Sequence, residues 1–430
     1  EERSSLEKWL NELLSQRKAI DEADVTHPVN IQIAEVKITL DNISWFEISK
    51  HSGLIDSISN ASRVYLSDIK NRLNNNQALL WFHEHCSDYI DEPFEIVAIA
   101  ITQNDFRFLK LDGQPLTRLI KKYHRLISER NSKLSTIDST GYVLYKYLIE
   151  PFTEIIGDND LIIIPSQHIS LIPLDALPLK PEFPDKNFKR MINRHTIRNE
   201  FSIHAFLENK IAKTKNHGVL AVAPKFENRQ KEAIAMLINR DTSLVNLPGA
   251  LKECRQIGEL FPMKLLEGQN ATKRNFELNS PAFQILHLST HGLPDENDPS
   301  SVRLVFSDYE DHSKQGSMDI YEVMNLDLNA GLAVLSACRT GIGEMSKGEG
   351  NINMAWAFRH VGANSVLVSL WDANDYASSV IMPKFYEYLA SGYSKPQALR
   401  QAKLDFFESS DEVMAAPYFW SGFVYWGDGD

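Results

Sequence analysis

The stretch ILHLSTHG, residues 285–292, is an apolar run that carries two histidines, His287 and His291, and ends in a glycine. Downstream, GLAVLSAC, residues 331–338, is a second apolar run, and it ends in Cys338. Short apolar runs without alternation predict strands that are buried on both faces, as in a parallel sheet covered by helices. Because ligands bind at the carboxyl ends of such strands, we expect His291 and Cys338 to face one crevice.

Helical patterns separate further apolar runs in the C-terminal half of the chain. GALKECRQIGELF, residues 249–261, and NINMAWAFRHV, residues 351–361, predict helices, and Gly362 stands where the second helix should end. The remaining strands are predicted at HGVLAVAP (217–224), SVRLVFS (301–307), NSVLVSLW (364–371) and YFWSGFVYWG (418–427). This alternation predicts an α/β fold with a mostly parallel sheet flanked by helices.

The N-terminal half divides into two predicted parts. Residues 1–80 are interpreted as a helical segment, because their apolar residues follow three- and four-residue spacing. Residues 81–214 are interpreted as a smaller α/β lobe, since FEIVAIAI at 94–101 begins a strand-like region. The predicted order is therefore a helical segment, this first lobe and a catalytic lobe at 215–430.

Composition narrows the class of protein. The 430 residues are 43% hydrophobic with a formal net charge of −12, which predicts a folded protein and argues against direct binding to nucleic acid or to an anionic membrane. No apolar run is long enough to span a bilayer, and the N-terminal residues do not have the pattern of a signal peptide, so we expect a cytoplasmic protein. The three cysteines, Cys86, Cys254 and Cys338, lack the paired spacing of a disulfide framework.

A metal site is not expected from these motifs. His287 and His291 lack the glutamate of a helical His-Glu-x-x-His zinc motif, because Leu288 stands at that position and the segment is strand-like. HEHC, residues 83–86, offers no visible fourth ligand for zinc. GIGEMSKGEG, residues 341–350, is glycine-rich but lacks the Gly-Lys-Ser/Thr ending of a phosphate-binding loop, so we expect neither a metal nor a cofactor.

The pairing of His291 with Cys338 has the chemistry of a thiol nucleophile and its base. A thiol is mostly protonated at neutral pH, and a neighbouring imidazole can accept its proton or stabilise the thiolate. The backbone N–H groups of Gly292 and Cys338 would then hold an oxyanion. Each residue alone has a common structural alternative, since such cysteines often act as small buried apolar groups and histidines as hydrogen-bonded core residues. His287, inside the apolar run, is expected to pack or to orient a neighbour.

Several separated stretches then carry a family resemblance. LHLSTHG, LSACRTGIGE, KGEGNINMAWAFRHVGANSVLVSLWDANDYAS and PYFWSGFVYWGD resemble, in this order, the CHAT family of caspase-like peptidases of clan CD, first noted beside tetratricopeptide repeats. The resemblance covers roughly residues 80–430 and implies a caspase/separase-like fold, a dyad of His291 and Cys338, and cleavage of a protein substrate. Ser336 and Thr340 depart from the caspase form around the nucleophile, so a preference for aspartate before the cut is not expected.

The resemblance also implies where a substrate side chain binds. Related separase-like enzymes carry an acidic group in the region that corresponds to SLWDAND, residues 369–375. Asp375 matches the more common acidic position and Asp372 is its neighbour, so we expect these residues to bind an arginine or lysine side chain before the cut. The alternative is that both are surface carboxylates of a loop.

Three functions remain open at this point. The first is a cysteine endopeptidase that stays inactive until a partner protein or an upstream repeat domain orders segment 341–351 next to Cys338. The second is a non-catalytic CHAT-fold module that recruits proteins, and the third is another thiol enzyme, such as an acyltransferase. The presence of both His291 and Cys338 favours the first. A protein substrate and an activating protein are therefore the expected partners.

Overall fold

The computed structural model covers most of the chain. It describes residues 64–85, 95–181, 189–208, 218–227, 247–294, 302–309, 315–336, 340–341, 344–346, 350–372 and 374–429, together with positions 8, 9, 12, 13, 15, 16, 32 and 36. Cys86, Cys338 and most of the predicted helical segment lie outside these residues. The chain divides into two compact units: Glu1–His124 with Ser135–Asn209 and Met345–Gly350, and Arg125–Leu134 with Lys210–Glu344 and Asn351–Asp430.

The first unit is built around a mixed sheet. Its described strands are β1 (Gln77–His85), β2 (Glu95–Ile101), β3 (Phe106–Asp112), β4 (Asp160–Ile164) and β5 (Ile197–Asn199). Their order is β3-β2-β1-β4-β5, with β1 antiparallel to β2 and parallel to β4. The helices described before residue 210 are α1 (Leu66–Arg72), α2 (Gly113–Ser128), α3 (Leu134–Leu148), α4 (Thr153–Ile156), α5 (Met191–Arg194) and α6 (Ile203–Leu207).

The predicted helical segment gives way to a strand before residue 80. Leu66–Arg72 is helical, as expected, but the apolar run that begins at Gln77 forms β1 between β2 and β4. Trp81 and its neighbours in this run are buried, which suits a strand that is covered on both faces and does not suit a surface helix. The asparagines at 74–76 supply the turn between the helix and the strand.

The second unit contains the strands and helices that the apolar runs predicted. The strands described after residue 210 are β6 (Val219–Pro224), β7 (Met263–Gly268), β8 (Ile285–Ser289), β9 (Gly292–Pro294), β10 (Val302–Val305), β11 (Ser317–Met318), β12 (Leu332–Ser336), β13 (Glu344–Ser346), β14 (Gly350–Ile352), β15 (Ser365–Ser369) and β16 (Phe423–Gly427). The helices are α7 (Pro248–Leu260), α8 (Lys273–Asn279), α9 (Ile320–Val323), α10 (Met354–His360), α11 (Asp375–Ala390), α12 (Lys395–Ser409) and α13 (Pro417–Trp420).

The main sheet of the second unit is mostly parallel. Its strand order is β16-β15-β12-β8-β6-β7, and only the β15–β16 pair among these neighbours is antiparallel. Helix α7 contacts β6, β7 and β8 and also packs against α11, which in turn packs against α12. The expected α/β fold with a mostly parallel sheet flanked by helices is confirmed.

The last predicted strand is shorter than expected. Residues Pro417–Trp420 form helix α13, and the strand begins only at Phe423. Pro417 favours a helix start because its fixed φ suits the first turn. Gly422 then allows a close approach, since a Cβ there would lie 2.9 Å from the indole of Trp371.

Candidate active site

A cleft in the second unit lies at the carboxyl end of β8 and β12. It has a volume of about 410 Å³, counting the space that opens to solvent. We call it the cleft, and its lining residues are Leu247, Gly249, Ala250, Glu253, Ser289, Thr290, His291, Ser336, Asp375 and Ser378. The strand ends thus provide polar groups and α7 and α11 provide the facing wall, as expected for a parallel sheet.

The register of β8 and β12 brings the two predicted motifs together. These neighbouring strands are parallel, and Ser289 pairs with Ser336 at their carboxyl ends. In the sequence, His291 and Cys338 each follow a member of this pair by two residues. Cys338 itself lies outside the described residues, while His291 and Ser336 both line the cleft.

His291 is held by contacts on two sides. Its imidazole is almost fully buried and lies against the ring of Phe226, with 5.8 Å between the ring centroids. Its carbonyl oxygen accepts a hydrogen bond from the backbone N–H of Val305, at 3.2 Å. Gly292 follows in β9 and pairs with Leu304 of β10. These contacts fix the backbone on both sides of the imidazole.

His287 occupies a different environment, beneath the cleft. Its Nε2 lies 2.9 Å from Oε1 of Glu253 and 2.9 Å from Oγ of Ser289, and its Nδ1 lies 3.1 Å from the hydroxyl of Tyr386. Ser289 in turn donates to Oε1 of Glu253 at 3.5 Å. We call Glu253, Cys254, His287, Ser289 and Tyr386 the His287 cluster. The expectation that His287 orients a neighbour agrees with this arrangement.

The protonation states of Tyr386 and Cys254 in the His287 cluster follow from burial. Burial raises the pKa of Tyr386 well above its usual value, so its hydroxyl remains protonated beside Nδ1 of His287. Burial likewise raises the pKa of the Cys254 thiol, with the charge of Glu253 adding to the effect, so Cys254 stays a thiol.

The residues that follow the predicted nucleophile are anchored to the sheet. The Thr340 hydroxyl donates to the carbonyl of Leu335 at 3.5 Å and accepts from the backbone N–H of Ser369 at 3.3 Å. Gly341 donates to the carbonyl of Ser369 at 3.0 Å, and its own carbonyl accepts from Nδ2 of Asn353 at 2.9 Å. Strands β12 and β15 therefore hold the chain immediately beyond Cys338.

Asp375 and Asp372, the two predicted substrate-binding carboxylates, take different positions. Asp375 is the first residue of α11 and lines the cleft. Gly249 of α7 lets the two helices approach closely here, because a Cβ at that position would lie 3.4 Å from the carbonyl oxygen of Asp375. Asp372 is not among the described residues of the cleft lining, and its carbonyl oxygen accepts from the Tyr418 hydroxyl at 3.4 Å.

Two further expectations concern metals and membranes. Among the described residues there is no cluster of three or more His, Cys, Asp or Glu side chains that could hold a metal ion. Of the HEHC motif, Glu84 binds Nδ1 of His168 at 2.8 Å and Ser166 at 2.6 Å, and Cys86 lies outside the described residues. No described helix combines the length and the apolar character that crossing a membrane requires.

Glu253 is the main feature of the cleft that sequence reasoning missed. Helix α7 buries Ala250, Cys254 and Ile257, which follow helical spacing, and Glu253 lies on the same buried face. A glutamate on an apolar face is rarely fully buried without a partner. That signal was present in GALKECRQIGELF, but the partner, His287, could not be identified from the spacing.

Comparison with solved structures reveals only distant similarity. The chain is similar to gingipain R, described as an Arg-specific cysteine proteinase, with 12% identity, a TM-score of 0.43, and coverage of 72% of this chain and 74% of that one. It is also similar to the separase–securin complex of Saccharomyces cerevisiae, with 9% identity, a TM-score of 0.49, and coverage of 93% of this chain and 33% of that one.

Comparison with sequences is more informative. Tetratricopeptide repeat protein 28 of mouse is 25% identical over 212 residues, and the human protein of that name is 26% identical over the same length. These matches cover 42% of this chain, which spans only 8% of the length of those relatives. The CHAT domain model matches residues 138–428. Because this match covers more than half of the chain, the protein belongs to the CHAT domain family, as its motifs indicated.

Proposed function

We propose that this CHAT-domain chain is a cysteine endopeptidase with Cys338 as nucleophile and His291 as base. The observation that carries the proposal is the register of β8 and β12, in which Ser289 and Ser336 form a pair at the strand ends. Paired residues of neighbouring parallel strands lie about 5 Å apart. Continuing both chains by two residues leads to His291 and Cys338, so an imidazole and a thiol would meet over the cleft.

The proposed chemistry is acyl transfer through a thioester. His291 accepts the Cys338 proton, and the thiolate attacks the carbonyl carbon of the scissile peptide bond. The backbone N–H groups of Gly292 and Cys338 would hold the resulting oxyanion. The imidazolium then gives its proton to the leaving amine, and a water activated by the same imidazole hydrolyses the thioester. The anchoring of Thr340 and Gly341 to β15 supports this role, since a nucleophile needs a fixed backbone.

The proposed substrate is a protein with a basic side chain before the cut. Asp375 lines the cleft beside His291 and supplies a carboxylate for that side chain. Asp372, from the same predicted pair, would act at the edge of the substrate site. A protein substrate follows from the peptidase chemistry.

We further propose that a partner or an upstream repeat domain controls the activity in the cytoplasm. The curated relatives are named for tetratricopeptide repeats, and this chain spans only a small part of their length. A shift of segment 341–351, which contains strand β13 and most of strand β14, would align the dyad and so raise turnover more than substrate affinity. The cytoplasm keeps thiols reduced, as a cysteine nucleophile requires.

Peptide cleavage and active-site labelling test the proposal together. A peptide electrophile with arginine next to the reactive group should label the wild-type chain on Cys338, and Cys338→Ala and His291→Ala should both lose cleavage of arginine-containing peptides. Glu259→Gln is the matched control, because Glu259 is an exposed carboxylate of α7. Cleavage that persists in Cys338→Ala would contradict the assignment.

The alternative is a CHAT-domain module that binds proteins without cutting them. It would be favoured if neither labelling nor cleavage occurs while a partner protein still binds the wild-type chain and the Cys338→Ala variant equally. Transfer of an acyl group without peptide-bond cleavage would instead indicate another thiol enzyme.

A further inference from the structure

Helix α2 presents a group of cations on one exposed face. Successive residues of a helix are about 100° apart, so positions 118, 121, 122 and 125 fall within an arc of about 100°. All of these side chains are exposed, and we call them the basic face: Arg118, Lys121, Lys122 and Arg125. The opposite side of the helix is buried and consists of Leu116, Ile120, Tyr123 and Ile127. The basic face therefore lies opposite the packed side of the helix.

The charges of the basic face are not balanced within the described chain. Residues three or four apart are neighbours on a helix, and like charges at these spacings weaken it. Arg118 has this spacing to both Lys121 and Lys122, and so has Arg125. Helix α2 contains no aspartate or glutamate, and no member of the basic face forms an ion pair with a described residue. The helix thus carries a repulsion that an acidic partner would relieve.

Two leucines border the basic face along one side. Leu119 and Leu126 are half-buried and seven residues apart, and Lys122 lies between them at spacings of three and four. One helix packs along another with this spacing, and charged residues beside such a seam select the charge of the partner helix. Arg118 and Arg125 each precede one of the leucines in the sequence, so they would flank a helix that packs there.

These features favour an acidic protein helix over a nucleic acid. Besides the basic face, the exposed residues of α2 are Gln114 and Pro115, so the helix exposes no aromatic side chain to stack on a base. The net charge of −12 also repels a long polyanion such as RNA. The half-buried Leu119 and Leu126 suit the apolar side of an amphipathic helix. Carboxylates at three- and four-residue spacing on that helix would match the cations, and arginine binds a carboxylate through two parallel hydrogen bonds.

We propose that the basic face of α2 and its two bordering leucines form a docking surface for an acidic amphipathic helix of a partner protein. The carboxylates of that helix pair with the basic face, and its apolar residues contact Leu119 and Leu126. Neither Cys338 nor His291 belongs to this surface, so docking is independent of the proposed peptidase chemistry. Binding should weaken as the salt concentration rises, because the ion pairs are exposed.

Fluorescence anisotropy with labelled probes tests this docking surface on the full chain. The first probe is a peptide of three Glu-Leu-Glu-Ala-Leu-Glu-Ala repeats, the second has the same composition with its leucines moved off this spacing, and the third is an oligouridine of similar charge. We expect the first peptide to bind at least about tenfold more tightly than either other probe. Lys122→Glu should weaken its binding at least about fivefold. The matched control is Lys252→Glu, which replaces an exposed lysine of α7 and should change binding less than about twofold.

Each result either supports or overturns the docking surface. Equal binding of the two peptides would overturn it, because charge alone would then suffice, and so would a wild-type chain that binds neither peptide. Tighter binding of oligouridine would assign the basic face to a nucleic acid instead. Equal effects of Lys122→Glu and Lys252→Glu would place the peptide elsewhere on the chain. Selective loss in Lys122→Glu supports the proposal, whether or not the chain cleaves peptides, and Lys122→Gln replaces that variant if circular dichroism shows that it does not fold.

Discussion

Nε2 of His287 lies 2.9 Å from Oε1 of Glu253, and both side chains are almost completely shielded from solvent. His291, only four residues further along the chain, instead lines the cleft. Both histidines are buried and stand in the same short motif, but only the second borders the cleft. Because their surroundings differ, replacing His287 and replacing His291 by alanine should have different effects.

His287→Ala should lower the free energy of unfolding by about 2–4 kcal/mol, because it opens a buried cavity and leaves Glu253 and Tyr386 without their shared partner. His291→Ala should lower it by less, about 1–2 kcal/mol, because the buried imidazole already borders the cleft and its removal opens less new cavity. Urea unfolding of both variants measures the two values, and peptide cleavage by His291→Ala should be lost. Reversed stabilities would show that the core role is assigned to the wrong histidine.

Cys254 should be unreactive in the folded protein. It is fully buried, and burial raises the pKa of its thiol above the ordinary value of 9.0. Iodoacetamide at pH 7 followed by peptide mapping should find Cys254 unmodified until urea is added, while the proposed nucleophile Cys338 reacts in the native chain. Rapid native alkylation of Cys254 would contradict the buried position.

The same raised pKa predicts a loss of stability in alkaline solution. Above pH 9.0 the unfolded chain releases the Cys254 proton while the folded chain retains it, so folding becomes less favourable as the pH rises. The contribution is about 1.4 kcal/mol per pH unit until the folded thiol also ionises. Urea unfolding between pH 8 and 10.5 should show a smaller slope in Cys254→Ala than in the wild type, and equal slopes would contradict the prediction.

Thr340→Val should impair the proposed reaction more than the fold. The substitution keeps the shape of the side chain and removes the hydroxyl that links Leu335 to Ser369. We expect a loss of about 1–2 kcal/mol in stability and a lower kcat with little change in KM, because the backbone after Cys338 is less well fixed. Thr117→Val is the control, since the buried Thr117 hydroxyl has no hydrogen-bond partner among the described residues. Equal effects of the two substitutions would argue against an anchoring role.

The strands at the site could be predicted because their apolar runs are continuous. ILHLS and LAVLS form β8 and β12 as neighbours, and the motif order indicated the CHAT family, which the domain match confirms. The residues that surround them were harder to predict. His287 contacts Tyr386 across 99 positions of sequence and Ser289 contacts Glu253 across 36, and no local period encodes such distances. Likewise, the run that begins at Gln77 forms a strand and not a helix because it lies inside the sheet, between β2 and β4.

A buried ion pair in the first unit gives a last prediction, on stability alone. Nη2 of Arg190 lies 2.7 Å from Oδ1 of Asp138, and both side chains are 3% exposed. Asp138→Ala removes the hydrogen-bond acceptor of the buried guanidinium together with its opposite charge, and it should cost about 3–5 kcal/mol. The exposed pair of Lys146 and Glu150 is the control, and Glu150→Gln should cost less than about 0.5 kcal/mol.

The pH dependence of this pair has a definite sign. Burial raises the pKa of Asp138 above 3.8 even though Arg190 opposes the shift, so the folded chain holds this proton more tightly than the unfolded chain does. Between 3.8 and the raised value, Asp138 therefore makes folding less favourable as the pH increases. Asp138→Ala should lack this component in urea unfolding measured from pH 3.5 to 7. One contrary result is a variant that keeps the wild-type pH profile, and another is a variant that loses no more stability than Glu150→Gln does. Either result would contradict the role of the buried pair in stability and in its pH dependence.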